Sequence, residues 1–287
     1  MTARPGKHVT VDGLDTFIHV TGSGPAVLLV HGSGPANYGQ FAWRTVAPAL
    51  SLHFTVIVVD VPGYGESAPL TVADTPANAG RHLLKLMKQL GHDQYMVVGH
   101  SRGGRIVCEM TAEALGTITK LVISGSGSAV PGGHRSESGG FTDAALALVN
   151  FGADGNQSFD EFCRVRRTSV YDGTHLPDER LRETYDWFIE SGMVDVYIKH
   201  MAAVDPLNFY HTSDLEDFRA QLRRLDLPTL IVWGREDEIS DYHRLPALID
   251  VLPNPELHLF PYAGHSLMFD QPDRLNAVLL DFLTRAD

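Results

Sequence analysis

Apolar positions along this chain come in two rhythms. Short unbroken runs occur at Ala26–Val30, Thr55–Asp60, Tyr95–Val98, Leu121–Ser124, Thr229–Trp233 and Glu256–Phe260. Runs of that length without polar alternation predict strands covered on both faces, as in a parallel sheet. Ahead of them, Lys7–Val11 and Thr16–Thr21 flank Asp12-Gly13, the pattern of a hairpin. Between the strands the spacing changes to three and four. In Pro76–Leu90 the residues Leu83, Leu84, Leu86, Met87 and Leu90 form one helical stripe. Thr75 is placed to cap that helix, Pro76 suits its first position and Gly91 stops it. A last helix is predicted over Arg274–Leu283. Strands alternating with helices predict an α/β fold, a mostly parallel twisted sheet with helices on both faces.

The alternation breaks between about Pro131 and Leu215. This stretch holds short helical pieces, no convincing strand, and the aromatics Phe141, Phe151, Phe159, Phe162, Tyr171, Tyr185, Trp187, Phe188 and Tyr197. It predicts a helical lid over 131–215, inserted into a core domain made of 1–130 and 216–287. Most of the aromatics are expected to pack the lid and a minority to line a substrate pocket, because lids position substrate and exclude water.

The net charge of −12 disfavours nucleic acid or an anionic membrane as partner. Cys108 and Cys163 have no C-x-x-C spacing and are expected as buried free thiols of a reduced compartment. The first twelve residues lack the apolar stretch of a signal peptide, and no segment approaches the length of a membrane span. The expectation is a cytoplasmic protein. No His/Cys cluster has metal spacing, and the Gly-Ser-Gly at 32–34 lacks the features of a phosphate loop, so no cofactor is expected.

Gly99, Ser101 and Gly103 spell G-x-S-x-G between the strand ending at Val98 and the helix-like Arg105–Met110. In that context the motif reads as a nucleophile elbow, a sharp turn that exposes a serine at the carboxyl edge of a sheet. A serine needs a base. His265 lies five residues past the last strand and follows Gly264. The imidazole needs an acid, and Asp237 follows the penultimate strand, with Glu236 as its nearest rival. The order Ser, Asp, His is that of α/β-hydrolases. Oxyanion donors are expected from the backbone N–H of Arg102 and from the turn after Ala26–Val30, at Ser33 with Gly32 as runner-up. His31 reads as a structural brace. The Arg102 side chain has two readings: a pocket group that pairs with a substrate anion, or an ion pair away from the pocket with a residue such as Glu109.

Together His31-Gly32-Ser33-Gly34-Pro35, Asp60-Val61-Pro62-Gly63-Tyr64-Gly65-Glu66-Ser67, Gly99–Gly104, Trp233–Asp237 and Gly264-His265 resemble the α/β-hydrolase superfamily. The chain looks most like the meta-cleavage product hydrolases, which split carbon–carbon bonds in vinylogous diketones. That resemblance implies substrate contacts from Gly32, Gly34, Ala42, His100, Trp187 and Ser266. Several of these depart from the family pattern. His100 and Arg102 replace an Asn and a Met or Leu beside the nucleophile, Ala42 replaces an Asn, and Ser266 replaces a Trp. Ungapped counting puts Thr184 where the family has a lid arginine for the substrate carboxylate, with Arg180 and Arg182 nearby. The expected activity is serine-dependent cleavage of a carbon–carbon bond in a ring-cleavage-product-like or polyketide-like ketone. The alternative is a carboxylesterase or lactonase working through an acyl-enzyme. The substrate is a small molecule in either case, and a homodimer is left open. A binding protein with a vestigial site and a cofactor-free oxygenase both fit the scaffold, but neither needs the complete Ser101, His265 and Asp237 set. Haloalkane dehalogenases and epoxide hydrolases are excluded because they need Asp at position 101.

Overall fold

The computed structural model describes residues 4–131, 142–203 and 215–286. Eight strands form one sheet: β1 (Lys7–Val11), β2 (Leu14–Thr21), β3 (Ala26–Val30), β4 (Thr55–Val59), β5 (Tyr95–His100), β6 (Ile118–Ser124), β7 (Thr229–Gly234) and β8 (Glu256–Phe260), in the spatial order β1-β2-β4-β3-β5-β6-β7-β8. β1 and β2 form the expected hairpin, with Asp12 and Gly13 both at positive φ in its turn. β2 also pairs antiparallel with β4, and from β4 to β8 every pairing is parallel.

The unbroken apolar runs follow from two-sided burial. In β3, Val27 and Leu29 join one core while Ala26, Leu28 and Val30 join the other. In β5, Met96 and Val98 face the first core, and Tyr95 and Val97 the second. Helices α1 (Gly39–Ala42) and α2 (Ala47–Leu50) follow β3. The second core is closed by α3 (Pro76–Gln89) and α4 (Arg102–Glu113). Thr75 caps α3 through Asn78 N, and Gly91 ends it at φ +82°. β6 starts three residues before the run that announces it, because Thr119 and Lys120 interrupt the apolar pattern. Lys120 is nonetheless buried, its Nζ donating to the carbonyls of Phe282 (3.1 Å) and Arg285.

Between β6 and β7 the described residues hold helices and no strand: α5 (Asp143–Val149), α6 (Phe159–Arg167), α7 (Asp178–Glu190), α8 (Met193–Ala203) and α9 (Leu215–Leu222). The hydroxyls of Thr142 and Ser158 cap α5 and α6. Phe151, Phe162, Phe188 and Tyr197 are buried in a core continuous with the first face of the sheet. Phe141 lies outside the described residues. Helix α9 belongs to the opposite core, where Arg105 of α4 lies 3.3 Å from the centroid of the Phe218 ring. The chain ends with α10 (Leu245–Ile249), α11 (Leu267–Asp270) and α12 (Pro272–Thr284), the last extending the predicted helix at both ends. Cys108 and Cys163 are buried and free. Among the described residues no helix is long and apolar enough to cross a membrane.

Candidate active site

β5 runs straight into α4 through a single residue, Ser101, at φ +54° and ψ −124°. For a serine this conformation costs about 1–3 kcal/mol, so its surroundings must hold it. They do so through the backbone. Ser101 N donates to Ser124 O at 2.9 Å, and Ser101 O accepts from Ser126 Oγ at 2.5 Å and Ser128 Oγ at 3.3 Å. The flanking glycines are required by contact rather than by torsion. A Cβ on Gly99 would lie 2.3 Å from Gly103 O, and one on Gly103 would lie 2.2 Å from Val30 O. The turn after β3 presses against the same point, since a Cβ on Gly32 would lie 2.6 Å from the Cβ of Ser101.

His265 and Asp237 come from the loops after β8 and β7, and both are almost fully buried. His265 Nδ1 donates to Asp237 Oδ2 at 2.8 Å. The other carboxylate oxygen accepts from the backbone N–H groups of Ile239 (2.9 Å) and Ser240 (2.7 Å). With Nδ1 carrying the proton, Nε2 is left as an acceptor. Glu236, the rival acid, turns elsewhere and accepts from Ala263 N at 3.1 Å. The His265 loop is fastened beside the imidazole by Ser266 N donating to Ser169 O at 2.7 Å and Gly264 N donating to Asp270 at 2.8 Å. Among the described residues the Ser101 hydroxyl has no hydrogen-bond partner. Contacts of this kind commonly tighten only around substrate.

His31 braces two loops, as expected. Its Nδ1 donates to Gly32 O at 2.7 Å and its Nε2 accepts from Val61 N at 2.9 Å. Burial pushes its pKa down to about 4, against the opposing pull of Asp60. A histidine buried neutral takes up its proton more readily when unfolded, so it stabilises the fold fully above pH 6.5 and loses that contribution as pH falls towards 4. The shift corresponds to about 3 kcal/mol. Urea unfolding should therefore show this group's share of the stability falling by about 2.5 kcal/mol between those limits. His31→Gln, though less stable throughout, should show a shallower slope; equal slopes in the two proteins would refute the assignment.

Two neighbouring cavities lie on this side of the sheet. One, beside the elbow, is lined by Ser33, Ala42, His100, His265 and Ser266 among others. The second is lined by Gly34 and by Trp187, Phe188 and Tyr197 of the inserted helices, and Asn37 borders both. Gly32 lines neither but packs on Ser101. His100 stacks obliquely on His265, ring centroids 4.7 Å apart, and donates from Nδ1 to Ser124 O at 3.2 Å. Burial, and then the neighbouring His265, hold His100 well below the ordinary histidine range. It is a neutral acceptor beside the serine.

Of the two readings of the Arg102 side chain, the ion pair away from the pocket holds, with a different partner: its Nη2 pairs with Asp74 at 2.6 Å, while Glu109 is taken by Arg105, and Arg102 lines neither cavity. Thr184 is buried and donates to Leu181 O. Arg180 donates to His175 O, and Arg182 covers the Phe159 ring, so neither recovers a cation for the cavity. Arg166 of α6 does line it. The run Arg164-Val165-Arg166-Arg167 looks like an exposed basic face. The available signal was spacing: Arg166 falls three and four residues after Cys163 and Phe162, on the apolar stripe of α6.

The sequence model of the family described as alpha/beta hydrolase fold matches residues 25–272. A 2-hydroxy-6-oxononadienedioate/2-hydroxy-6-oxononatrienedioate hydrolase of Cupriavidus pinatubonensis is 27% identical, over 98% of this chain and 96% of its own length. A 2-hydroxymuconate semialdehyde hydrolase of a Pseudomonas species is 28% identical, over 98% and 95%. Among solved structures, a meta-cleavage product hydrolase of Pseudomonas fluorescens has a TM-score of 0.84 at 24% identity, covering 99% of each chain. Est816, described as an N-acyl homoserine lactone degrading enzyme, has a TM-score of 0.75 at 21% identity, covering 96% of this chain and 100% of its own.

Proposed function

Because the chain belongs to the α/β-hydrolase fold family, we propose that Ser101, His265 and Asp237 form its catalytic triad and that it hydrolyses a carbon–carbon bond in a ring-cleavage-product-like ketone. The observation that carries the chemistry is the Asp237–His265 pair on the loops that face the elbow. What favours carbon–carbon cleavage over other hydrolysis is the full-length similarity to relatives named for dienedioate and muconate semialdehyde substrates.

In this reading His265 Nε2 accepts the Ser101 proton as Oγ attacks the ketone carbonyl. Asp237 holds the tautomer that makes this possible and stabilises the imidazolium that results. The backbone N–H groups of Ser33 and Arg102 receive the oxyanion; each such donor is worth about 2.7–4 kcal/mol. Collapse breaks the carbon–carbon bond. Its electron pair leaves as an enolate, which takes up the proton held by His265. Water, deprotonated by the same imidazole, then releases the acyl group from Ser101 as an acid. A low pKa for His100 suits this sequence, because a second cation beside His265 would oppose the imidazolium. The inserted helices serve as a lid, with Trp187 at its substrate-facing side and Gly34 lining the same cavity from the turn after β3, and the enzyme works on a small molecule in the cytoplasm.

The same triad can cleave esters and lactones, and Ala42 and Ser266 in place of an Asn and a Trp favour that alternative. The two are separated by assaying a coloured 2-hydroxy-6-oxodienoate beside p-nitrophenyl esters. The dienoate should be consumed with the higher kcat/KM. Rapid ester turnover with no loss of dienoate colour would transfer the assignment to a carboxylesterase or lactonase.

A further inference from the structure

Helix α6 carries three arginines in its last turn. Two are paired: Arg164 with Glu161, and Arg167 with Asp178. Arg166 is not. It is only 5% exposed, and among the described residues its guanidinium makes no hydrogen bond and no ion pair. Its Nε is sealed from solvent without a partner. The group lies 5.1 Å from the centroid of the Phe41 ring, and a Cβ on Gly34 would sit 3.3 Å from its Nη1. It therefore abuts the turn that carries the proposed oxyanion donor. Among the described residues the titratable groups facing it are Tyr38, Tyr197, His100 and His265, and no Asp or Glu lines the cavity.

Burial lowers the pKa of Arg166 to about 10, which still leaves it charged at neutral pH. A cation kept in that state without a counter-ion is costly unless something else supplies the anion. The cavity beside it leads to His265 and Ser266.

We propose that Arg166 is the anchor for a carboxylate on the substrate, so that the substrate's charge is read from α6 and not from the position of Thr184 on α7. This rests on the cavity being the active site, as argued above. It also orients the substrate. The charged end lies against Arg166, the scissile carbonyl at Ser101, and the apolar end passes Asn37 into the cavity bounded by Trp187 and Phe188. A planar guanidinium can meet both carboxylate oxygens at once, which an ammonium cannot.

The test is binding to protein that carries Ser101→Ala, measured by calorimetry with 4-phenylbutyrate and its primary amide. The carboxylate should bind at least about tenfold more tightly than the amide. Adding Arg166→Met should bring the carboxylate down to the affinity of the amide and leave the amide unchanged. Arg166→Lys should keep part of the preference, and Arg180→Met all of it. Arg166→Gln reports the same loss if the Met variant does not fold by circular dichroism. A carboxylate preference that survives Arg166→Met or Gln, or that is absent from the parent, overturns the proposal. Because no turnover is involved, the outcome is separable from the reaction. If dienoates are not cleaved while the Arg166-dependent preference stands, only the carbon–carbon reading falls.

Discussion

Ser101→Ala should lower kcat by on the order of 10⁶-fold, with the thermal unfolding transition left within a few degrees of the parent. The rate loss follows from chemistry: alanine offers no atom to attack the carbonyl, and water in its place must be activated from a less defined position. A loss of 10⁶ corresponds to about 8 kcal/mol of activation free energy. The stability expectation follows from structure. The Ser101 hydroxyl has no partner among the described residues, so its removal leaves no buried group unsatisfied. The bonds that hold the elbow run through Ser101 N and O, and alanine keeps both. The measurement is steady-state turnover of the preferred substrate beside a circular dichroism melt. Turnover within tenfold of the parent would remove Ser101 as nucleophile, and with it both the ketone and the ester readings.

Much of this site can be read along the chain because each part sits at the end of a strand. Continuous apolar runs mark strands buried on two faces, and the residues just past β3, β5, β7 and β8 are carried to one edge of a parallel sheet. The spacing of Ser101, Asp237 and His265 from those strands follows from this alone. What the pattern does not encode is pairing across space. Asp74, which holds Arg102, lies 28 residues away in sequence on a loop with no periodicity, whereas the helical neighbour Glu109 was the visible candidate. Arg166 is hidden for a different reason. A basic triplet at a helix end is ordinarily solvated, and the inward-facing Arg166 meets Phe41 of α1 and Gly34 of the turn before it, both distant in sequence. The helices α1, α2, α10 and α11, of four or five residues each, are too short for a 3.6-residue period to stand out.

Asp237→Asn should lower kcat by on the order of 10⁴-fold, while Glu236→Gln leaves it within a few-fold of the parent. The hydrogen bonds around position 237 dictate the direction. Asp237 Oδ1 accepts from two backbone N–H groups, Ile239 and Ser240. An asparagine therefore places its carbonyl oxygen there and turns its amide NH₂ towards His265. That amide donates to Nδ1, so the ring proton moves to Nε2. The nitrogen that should take the Ser101 proton then already carries one, and the imidazolium loses its counter-charge as well. Geometry is preserved and chemistry is not, so the melt should shift far less than the rate. Glu236 meets Ala263 N and not the imidazole, so its amide still accepts that bond. Substrate affinity, read as KM, should change little in either variant. If Glu236→Gln proved the more damaging to kcat, the acid of the triad would be Glu236, and the Asp237–His265 contact would be structural.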